Sequence, residues 1–356
     1  MLPPLRSLIG LAAALGLSLS ACERRSEGEP GAPAAGGSEA GVVNLYTTRH
    51  YDSDQQLYEG FTRATGIRVN RIESNADMLV ERMKAEGESS PADVVMMADA
   101  GALFRAQNAG LLQPTTSPVL EQRIPASLRE AEGRWFGFSR RGRVIVFRKD
   151  AAPAPLRADY RDLASPKLKG EVCVRSSDNV YNLSLMAALI ERWGRAEALR
   201  WARGVTANMA RPPQGGDVDQ IKAVAAGACD AALVNTYYYI RLARSEDPAE
   251  RAAAEQTVLV FPDQDGVGAH FNISGAGVAA NAPNRGNAVR FLEYLAGEEA
   301  QAIFANGNNE YPAVANAPMP EALAPFARFK ADPMSVAVYG RRQAEAQAVF
   351  DEAGWR

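Results

Sequence analysis

Three consecutive tyrosines, Tyr237 to Tyr239, are the side chains of this sequence whose spacing points most directly to chemistry. The chain has 11 tyrosines among its 356 residues, and these three follow a strand-like run, Asp230 to Asn235. Their phenols are either core filler or ligands. Residues 240–245 have helical character, so a strand-to-helix turn would let Tyr237 and Tyr238 face one cleft. Because a phenol keeps its proton to about pH 10, phenolates at neutral pH require a strong local cation, such as Fe³⁺.

Other aromatic side chains follow two further predicted strands. His50 and Tyr51 come after the first strand, and Tyr181 comes after the strand that contains Cys173. In open α/β sheets, ligands gather beyond the carboxyl ends of strands. No Cys/His spacing typical of zinc occurs in the sequence. The sequence therefore predicts phenols from three strand ends around one centre, with a nearby arginine to balance the charge of four phenolates on a trivalent ion.

Several polar and aromatic residues have simpler interpretations. Tyr46 lies within a predicted strand and is expected in the core or the cleft wall. His270 is expected to support a hinge or loop by hydrogen bonding. Asp217 and Asp219 are interpreted as a helix cap and a solvated face rather than as metal ligands.

Strands alternate with helices along the chain, which predicts an α/β protein with a mostly parallel sheet. Leu57 and Phe61, four residues apart, predict an amphipathic helix from about Ser53 to Ala64, and Asn75 is expected to cap the next helix. After about residue 140 the pattern restarts, with strands at 144–147, 171–175 and 231–234 and a helix at 183–193. The roughly 315 residues that follow the N-terminal region exceed what one core usually supports. We therefore expect two α/β lobes that form a hinged clamshell.

The expected lobes are discontinuous in sequence, because the strand 275–279 and the helix 287–295 are interpreted as a return to the first lobe. The predicted N-lobe comprises residues 41–140 plus about 268–316. The predicted C-lobe comprises about 141–267 plus 317–356.

The N-terminus predicts export. Residues 1–21 have the charge and apolar run of a secretory signal, and the small residues before Cys22 resemble a bacterial lipobox, which would make Cys22 a lipidated N-terminus. The alternative is an ordinary cleaved signal with a chance cysteine. Residues 22–40 contain almost nothing that a core could bury and are interpreted as a tether. The expected location is periplasmic, anchored to a membrane through Cys22.

The remaining composition limits partners and predicts a crosslink. The formal net charge is −3 and no long basic run occurs, so no nucleic-acid partner is expected. Apart from Cys22, the chain contains only Cys173 and Cys229. Outside the cytoplasm two such cysteines usually pair, which predicts a Cys173–Cys229 disulfide behind two of the ligand loops.

From about residue 42 to the C-terminus, the sequence resembles the ferric-iron-binding solute-binding proteins of bacterial ABC importers, and especially the anion-independent branch typified by the cyanobacterial Fut proteins. The motifs that carry the resemblance are Tyr46-Thr-Thr-Arg-His-Tyr51, Ser90-Pro-Ala-Asp-Val94, Arg175-Ser-Ser-Asp-Asn-Val-Tyr-Asn182, Pro213-Gln-Gly-Gly-Asp217, Asn235-Thr-Tyr-Tyr-Tyr239, His270-Phe-Asn-Ile-Ser-Gly275 and Asn308-Asn-Glu-Tyr-Pro312. The resemblance implies a two-lobed periplasmic-binding-protein clamshell of type II. It also implies Fe³⁺ as the transported ligand, an ABC permease as the partner, and a monomer.

The resemblance also implies roles for single residues. Carried over by motif, the iron ligands are His50, Tyr51, Tyr181, Tyr237 and Tyr238. Because this ligand set is full, no obligatory anion is expected. Arg141 and Arg241 look like the arginines that offset charge behind the ligands, and Tyr239 is expected to pack, since similar proteins often have tryptophan there.

Two other function classes remain open from the sequence. The same clamshell with its tyrosines as an aromatic box would suit a polyamine or another small organic solute, although the strand-end clusters supply few acids. An enzyme with a phenolate–iron centre or a tyrosine base is the third class. No Ser/His/Asp or Cys/His pairing is apparent, and a fully occupied ligand shell leaves no open position for a substrate.

Overall fold

The computed structural model of the protein describes residues 41–356, and the predicted signal, Cys22 and the tether lie outside them. The strands of the described residues are β1 (Val42–Thr47), β2 (Arg68–Glu73), β3 (Val94–Met97), β4 (Phe136–Arg148), β5 (Val172–Cys173), β6 (Ala231–Asn235), β7 (Thr257–Val260), β8 (Phe271–Val278) and β9 (Tyr311–Pro312). The α-helices are α1 (Asp54–Thr65), α2 (Ala76–Glu86), α3 (Ala100–Asn108), α4 (Pro118–Arg123), α5 (Val180–Trp193), α6 (Arg195–Asn208), α7 (Asp217–Ala225), α8 (Thr236–Ala243), α9 (Pro248–Glu255), α10 (Arg285–Leu295), α11 (Glu298–Asn308), α12 (Ala337–Arg341) and α13 (Gln343–Ala353). Among residues 41–356, no helix is long and apolar enough to cross a bilayer.

The strands form one curled, mixed sheet. Its order is β2-β1-β3-β8-β4-β6-β5, with β7 and β9 also paired to β4. β1 runs parallel to β2 and β3, and β5 runs parallel to β6. The strands β8 and β4 are antiparallel to each other and to their other neighbours. The expectation of a mostly parallel sheet is therefore wrong, because these two central strands run against the βα units on either side.

The long strand β4 joins the two halves of the sheet. Its first part pairs with β8 up to Gly142, and its second part pairs with β6 from Arg143 onwards. A Cβ at Gly142 would lie only 3.0 Å from Cζ of Phe271 and 3.1 Å from Cγ2 of Thr236, so a larger residue there would crowd the crossing. The crossing lies close to the predicted boundary at residues 140 and 141. We propose that it is the hinge between the predicted lobes.

Helices cover the first half of the sheet on both faces. All four residues of β3 are buried, as expected for a strand with helices on either side. Leu57 and Phe61 are buried on α1, one turn apart, as their spacing predicts. The side chain of Asn75 accepts a hydrogen bond from the Met78 N–H at 2.9 Å and so caps α2, also as predicted. These two helices follow β1 and β2 and fix the loops at the carboxyl ends of those strands.

A disulfide bond joins Cys173, at the end of β5, to Cys229, which precedes β6. This is the predicted pair. Both cysteines are fully buried. The bond therefore ties together the two strands that lead into the loops of Tyr181 and Tyr237.

Breaking this bond is expected to lower the free energy of unfolding by about 4 kcal/mol, because the crosslink closes a loop with a sequence separation of 56 residues. Urea unfolding of the mature protein, with and without a thiol reductant, measures the effect. Reduction keeps both side chains in place and so avoids the cavity that Cys173→Ala would leave. Equal unfolding midpoints would contradict a stabilising role.

Candidate metal centre

The predicted site residues lie where three strands end. Tyr51 is in the loop between β1 and α1, Tyr181 is the second residue of α5, and Tyr237 is the second residue of α8. The predicted helix at 183–193 therefore begins three residues earlier than expected. The side chain of Asn179 accepts the Tyr181 N–H at 3.1 Å, and this cap starts α5 at Val180.

The run of tyrosines forms the first turn of α8 rather than a loop that precedes a helix. Successive helical residues are about 100° apart, so the three phenols diverge. Tyr237 and Tyr238 still share a side, with ring centroids 4.1 Å apart. Tyr239 points elsewhere, and its hydroxyl donates to the backbone oxygens of Ala254 or Thr257, each 3.1 Å away. Tyr237 and Tyr238 thus share one side of α8, and Tyr239 packs on another.

Phenol oxygens from both halves of the sheet meet at one point. The Oη atoms of Tyr181 and Tyr237 are 3.1 Å apart, and Oη of Tyr51 donates to Oη of Tyr237 at 3.4 Å. Tyr237 is 1% exposed, whereas Tyr51, Tyr181 and Tyr238 are half-buried. The structure therefore brings together three hydroxyl oxygens, with the ring of Tyr238 against that of Tyr237.

His50 lies beside this cluster. It stacks on Tyr51 but does not touch the predicted ligands of the other half of the sheet, which are Tyr181, Tyr237 and Tyr238. Its ring stacks on Tyr51 with centroids 5.3 Å apart, and the side chain is exposed. Nδ1 is 3.3 Å from the Thr48 carbonyl oxygen. If Nδ1–H donates to that oxygen, the lone pair of Nε2 is free for a metal.

A buried arginine network underlies Tyr51. Cζ of Arg49 lies 4.8 Å from the centre of the Tyr51 ring, and its guanidinium donates to Asp54 at 2.7 Å and to Glu310 at 2.8 Å. Arg141 donates to the Ile273 carbonyl oxygen at 2.6 Å, and its Nη1 lies 3.4 Å from Glu310. Nε and Nη1 of Arg141 are buried without a hydrogen-bond partner among the described residues.

A second network underlies Tyr181. Cζ of Arg175 and Cζ of Arg143 lie 5.4 Å and 6.0 Å from the centre of its ring. Both guanidinium groups donate to Asp217, at 3.3 Å and 2.9 Å respectively. The interpretation of Asp217 as a helix cap is therefore wrong, because its carboxylate is fully buried between two arginines. Asp219 is the capping residue of α7, since it is exposed and accepts the Gly216 N–H at 2.6 Å.

The two arginines predicted to offset charge lie on different sides of the cluster. Arg141 is buried, with Cζ 5.9 Å from the centre of the Tyr181 ring. Arg241 is exposed on α8, with Cζ 5.3 Å from the centre of the Tyr238 ring. Both are thus within cation–π distance of a phenol ring, one from the protein interior and one from solvent.

Burial keeps the phenols protonated in the metal-free protein. Burial raises the pKa of Tyr237 well above its ordinary value, and the nearby phenols of Tyr181 and Tyr51 add to the rise. The pKa of Tyr181 is raised for the same reasons, burial first. Burial also raises the pKa of Tyr51; the carboxylate of Glu310 adds to this rise, and Arg141 opposes it. Neutral phenols can share hydrogen bonds at these short distances without repulsion.

Two residues with simpler interpretations differ in outcome. Tyr46 is buried and donates its hydroxyl hydrogen to Glu86 at 2.8 Å. His270 lies next to the β4 crossing, but only its backbone forms hydrogen bonds there, from the Arg143 N–H and to the Tyr160 hydroxyl. Nδ1 of the His270 ring has no hydrogen-bond partner among the described residues, so the hydrogen bonds expected of this residue come from its backbone and not from that ring atom. Burial and the Arg143 charge lower the pKa of His270 to about 3, which keeps the ring neutral.

The space next to the phenols is a cleft cavity of about 500 Å³. His50, Tyr51 and Tyr181 line it together with Asn75 and Asp99, which begin α2 and α3. Among residues 41–356, no group of three or more His, Cys, Asp or Glu side chains is placed to hold a metal ion. A metal in this cleft would therefore depend on phenol oxygens.

Sequence reasoning missed four charged residues around the phenols: Arg49, Arg143, Arg175 and Glu310. Three of them stand within the motifs quoted above: Arg49 directly before the His-Tyr pair, Arg175 at the start of the Val-Tyr-Asn motif, and Glu310 in Asn308-Asn-Glu-Tyr-Pro312. An arginine next to a candidate phenolate was a usable signal. Arg143 and Glu310 come from distant segments, and only the fold brings them to the site.

The family of the chain follows from comparison with known proteins. Residues 89–332 match the family described as bacterial extracellular solute-binding protein. The chain therefore belongs to the bacterial extracellular solute-binding proteins. Its α/β architecture and the cleft between the two halves of its sheet are those of the type II members of this class.

Similar individual proteins define the branch within that class. Iron uptake protein A1 of Synechocystis sp. is 46% identical over 339 residues, which are 95% of this chain and 93% of the relative. A solved structure of Trichodesmium FutA (IdiA), in complex with iron and citrate ligands, is 52% identical with a TM-score of 0.86, and covers 89% of this chain and 100% of its own. The ferric binding protein from Campylobacter jejuni is 36% identical with a TM-score of 0.83, over 88% of this chain and 100% of its own. Within the class, the chain belongs with the Fut-like ferric-binding proteins.

Proposed function

We propose that this protein is an extracytoplasmic receptor that binds Fe³⁺ through tyrosinate oxygens in the cleft and delivers it to an ABC transporter permease. The proposal rests on the close approach of three phenol oxygens from different strand ends. Oη of Tyr237 lies 3.1 Å from Oη of Tyr181 and 3.4 Å from Oη of Tyr51. The proposed ligands are Tyr51, Tyr181, Tyr237 and Tyr238, with His50 as a fifth.

The oxygen–oxygen distances support one metal ion. Two oxygens that bind one small cation at about 2 Å, with an angle of 90–120° between the bonds, lie about 2.8–3.5 Å apart. The two measured separations, 3.1 Å and 3.4 Å, fall within that range. Little movement is then needed to replace the shared phenol protons by a metal ion.

The charge around the phenols supports a phenolate site. Nε of Arg141 and Nε of Arg143 are buried without a hydrogen-bond partner among the described residues, whereas Nη1 of Arg141 lies 3.4 Å from Glu310. Burying such donors is costly unless a negative charge lies nearby. Phenolates formed on metal binding would supply that charge, because the guanidinium groups of Arg141 and Arg143 each already lie about 6 Å from the centre of the Tyr181 ring.

No obligatory anion is proposed for the iron site. Four phenolates and His50 would fill most positions around Fe³⁺, and the guanidinium groups of Arg49 and Arg143 are already paired with carboxylates. The citrate in the Trichodesmium structure belongs to that protein. For this chain, citrate is a chelator whose competition with the site can be measured.

Transport follows from the position of the ligands on both halves of the sheet. Tyr51 follows β1, whereas Tyr181 and Tyr237 follow β5 and β6. Binding would therefore hold the proposed lobes together in this closed arrangement, and the permease would recognise the closed form. Opening, protonation or reduction would release the ion. Anchoring through a lipid on Cys22 is part of the proposal and concerns residues outside the described range.

A titration with ferric citrate tests the proposed function, with spermidine as the competing hypothesis. We expect Fe³⁺ to be taken from citrate, with a broad visible band from phenolate-to-iron charge transfer, and no heat of binding with spermidine. A polyamine site needs several carboxylates. Of the nearby acids, Asp54, Asp217 and Glu310 are each already paired with arginine, and the carboxylate of Asp99 accepts from Gly101, Ser184 and Asn272. Spermidine binding without iron uptake would favour the polyamine hypothesis. Neither the relatives nor the site supports an enzyme.

A further inference from the structure

One buried carboxylate near the phenols has no role in the proposed ligand set. Glu310 lies in the motif Asn308-Asn-Glu-Tyr-Pro312, directly before β9. Asn309 has φ 57°, in the left-handed region, and ends α11 so that the chain turns into the sheet. The side chain of Glu310 is 0% exposed. An ionised carboxylate so deeply buried requires compensating partners.

The partners of Glu310 are the two arginines on the Tyr51 side. Its carboxylate accepts from Nη1 of Arg49 at 2.8 Å and pairs with Nη1 of Arg141 at 3.4 Å. The hydroxyl groups of Ser139 and Ser274 also donate to it, at 3.1 Å and 3.4 Å. Arg49 and Arg141 hold the pKa of Glu310 below its ordinary value despite burial, so the carboxylate is charged. Glu310 therefore cancels positive charge beside the phenols.

The two arginine networks differ in net charge. On the Tyr51 side, Arg49 and Arg141 face two carboxylates, Asp54 and Glu310, and the network is neutral. On the Tyr181 side, Arg143 and Arg175 share a single carboxylate, Asp217, which leaves one positive charge in that network.

One surplus positive charge matches a trivalent ion. Four phenolates around Fe³⁺ carry one net negative charge, which Arg143, Arg175 and Asp217 together offset. The same four phenolates around a divalent ion would carry two net negative charges. Without the charge of Glu310, the two arginine networks would carry two positive charges, which favours a divalent ion relative to a trivalent one.

We propose that Glu310 is a specificity-determining residue that sets the site for a trivalent rather than a divalent metal ion. It acts through the field at the metal and does not touch the ion. This role rests on the proposed function, because it presumes a phenolate iron site. Asp54 contributes in the same sense but pairs only with Arg49, so its effect is smaller.

The reduction potential of the bound iron tests this role, because it reports the affinity for Fe³⁺ relative to Fe²⁺. The mature protein is loaded with iron, and the charge-transfer band is followed during a mediated reductive titration. Glu310→Gln keeps the shape of the side chain and removes its charge. We expect the potential to become more positive, equivalent to a relative gain of about tenfold or more for Fe²⁺ over Fe³⁺.

Asp93→Asn is the matched control. Asp93 is also a fully buried carboxylate, but it precedes β3 and accepts from the backbone N–H groups of Asn44 and Asn284, at the end of the strand away from the cleft. The reduction potential of iron bound to the Asp93→Asn variant should equal that of iron bound to the wild-type protein. A structural role for Glu310 alone would lower stability without shifting the potential.

Asp54→Asn keeps the proposal testable if Glu310→Gln fails to fold. It removes one negative charge from the same network and should shift the potential in the same direction by a smaller amount. An unchanged or more negative potential in the folded variants would overturn the role of Glu310. A wild-type protein that shows no charge-transfer band would refute the iron site itself, together with this role.

Discussion

Replacing Tyr181 and Tyr238 together by phenylalanine is expected to abolish the visible charge-transfer band of the iron-loaded protein and to weaken Fe³⁺ binding by far more than a hundredfold. Phenylalanine keeps the ring and removes only the oxygen that would bind the metal. Loss of an outer partner of a metal ligand already costs about 10–100-fold in affinity, so loss of two ligands costs much more. Titration with ferric citrate, followed by visible absorbance, measures both effects.

Tyr239→Phe is the matched control for this double variant. Tyr239 belongs to the same tyrosine run, but its hydroxyl donates to backbone oxygens and packs away from the cleft. The variant should lose a little stability, about 1 kcal/mol for one hydrogen bond, and keep the band and the affinity. A charge-transfer band that survives in the Tyr181 and Tyr238 double variant would contradict binding of iron by these two phenolates.

The second large effect is a steep loss of Fe³⁺ affinity with falling pH. Burial raises the pKa of Tyr51, Tyr181 and Tyr237, so these phenols are protonated in the metal-free protein at neutral pH. Metal binding must expel those protons. Affinity therefore rises with pH, and each expelled proton contributes about a tenfold change per pH unit. Four ligand phenols that each lose a proton on binding predict a slope of about four in the logarithm of the association constant.

Equilibrium competition with citrate between about pH 6 and 8 measures that slope, after correction for the pH dependence of ferric citrate itself. The Tyr181→Phe variant provides an internal comparison, since it has one proton fewer to expel and should lower the slope by about one. An affinity that is independent of pH would contradict binding by phenols that are neutral in the metal-free protein.

Local patterns in the sequence predicted local structure well. The spacing of Leu57 and Phe61 placed α1 within one residue of its observed start, and Asn75 was correctly identified as the cap of α2. The predicted partners Cys173 and Cys229 are the ones that the structure joins. The helix, its cap and the disulfide each depend on neighbouring residues or on the chemistry of one residue type. Such features can be identified from the sequence alone.

Features that depend on distant segments were predicted less well. Only the second half of β4 was expected, because the first half, from Phe136, owes its extended form to pairing with β8 more than 130 residues later. The start of α5 was placed too late because the Asn179 cap was not identified. Asp217 stands at the N-terminus of a helix, which favoured a capping role, but its buried carboxylate pairs with Arg143 on β4 and with Arg175, which follows β5.

The candidate site was predicted as a set of residues more accurately than as an electrostatic environment. Tyr51, Tyr181 and Tyr237 converge in the structure, as their positions after strands predicted. The charge balance was expected to come from Arg141 and Arg241. Arg141 belongs to one of two buried networks of arginines and carboxylates beside the phenols, and Arg241 is exposed beside Tyr238. Charge networks of this kind join residues far apart in sequence, so no local pattern reveals them.

The most direct measurement of the central claim is a crystal structure of the iron-loaded protein with anomalous diffraction at the iron absorption edge. The account predicts a single strong anomalous peak in the cleft, within bonding distance of the Oη atoms of Tyr51, Tyr181, Tyr237 and Tyr238. Bonding to Nε2 of His50 would complete the proposed ligand set. An iron ion held by carboxylates elsewhere, or bound in the cleft without these phenol oxygens, would contradict it.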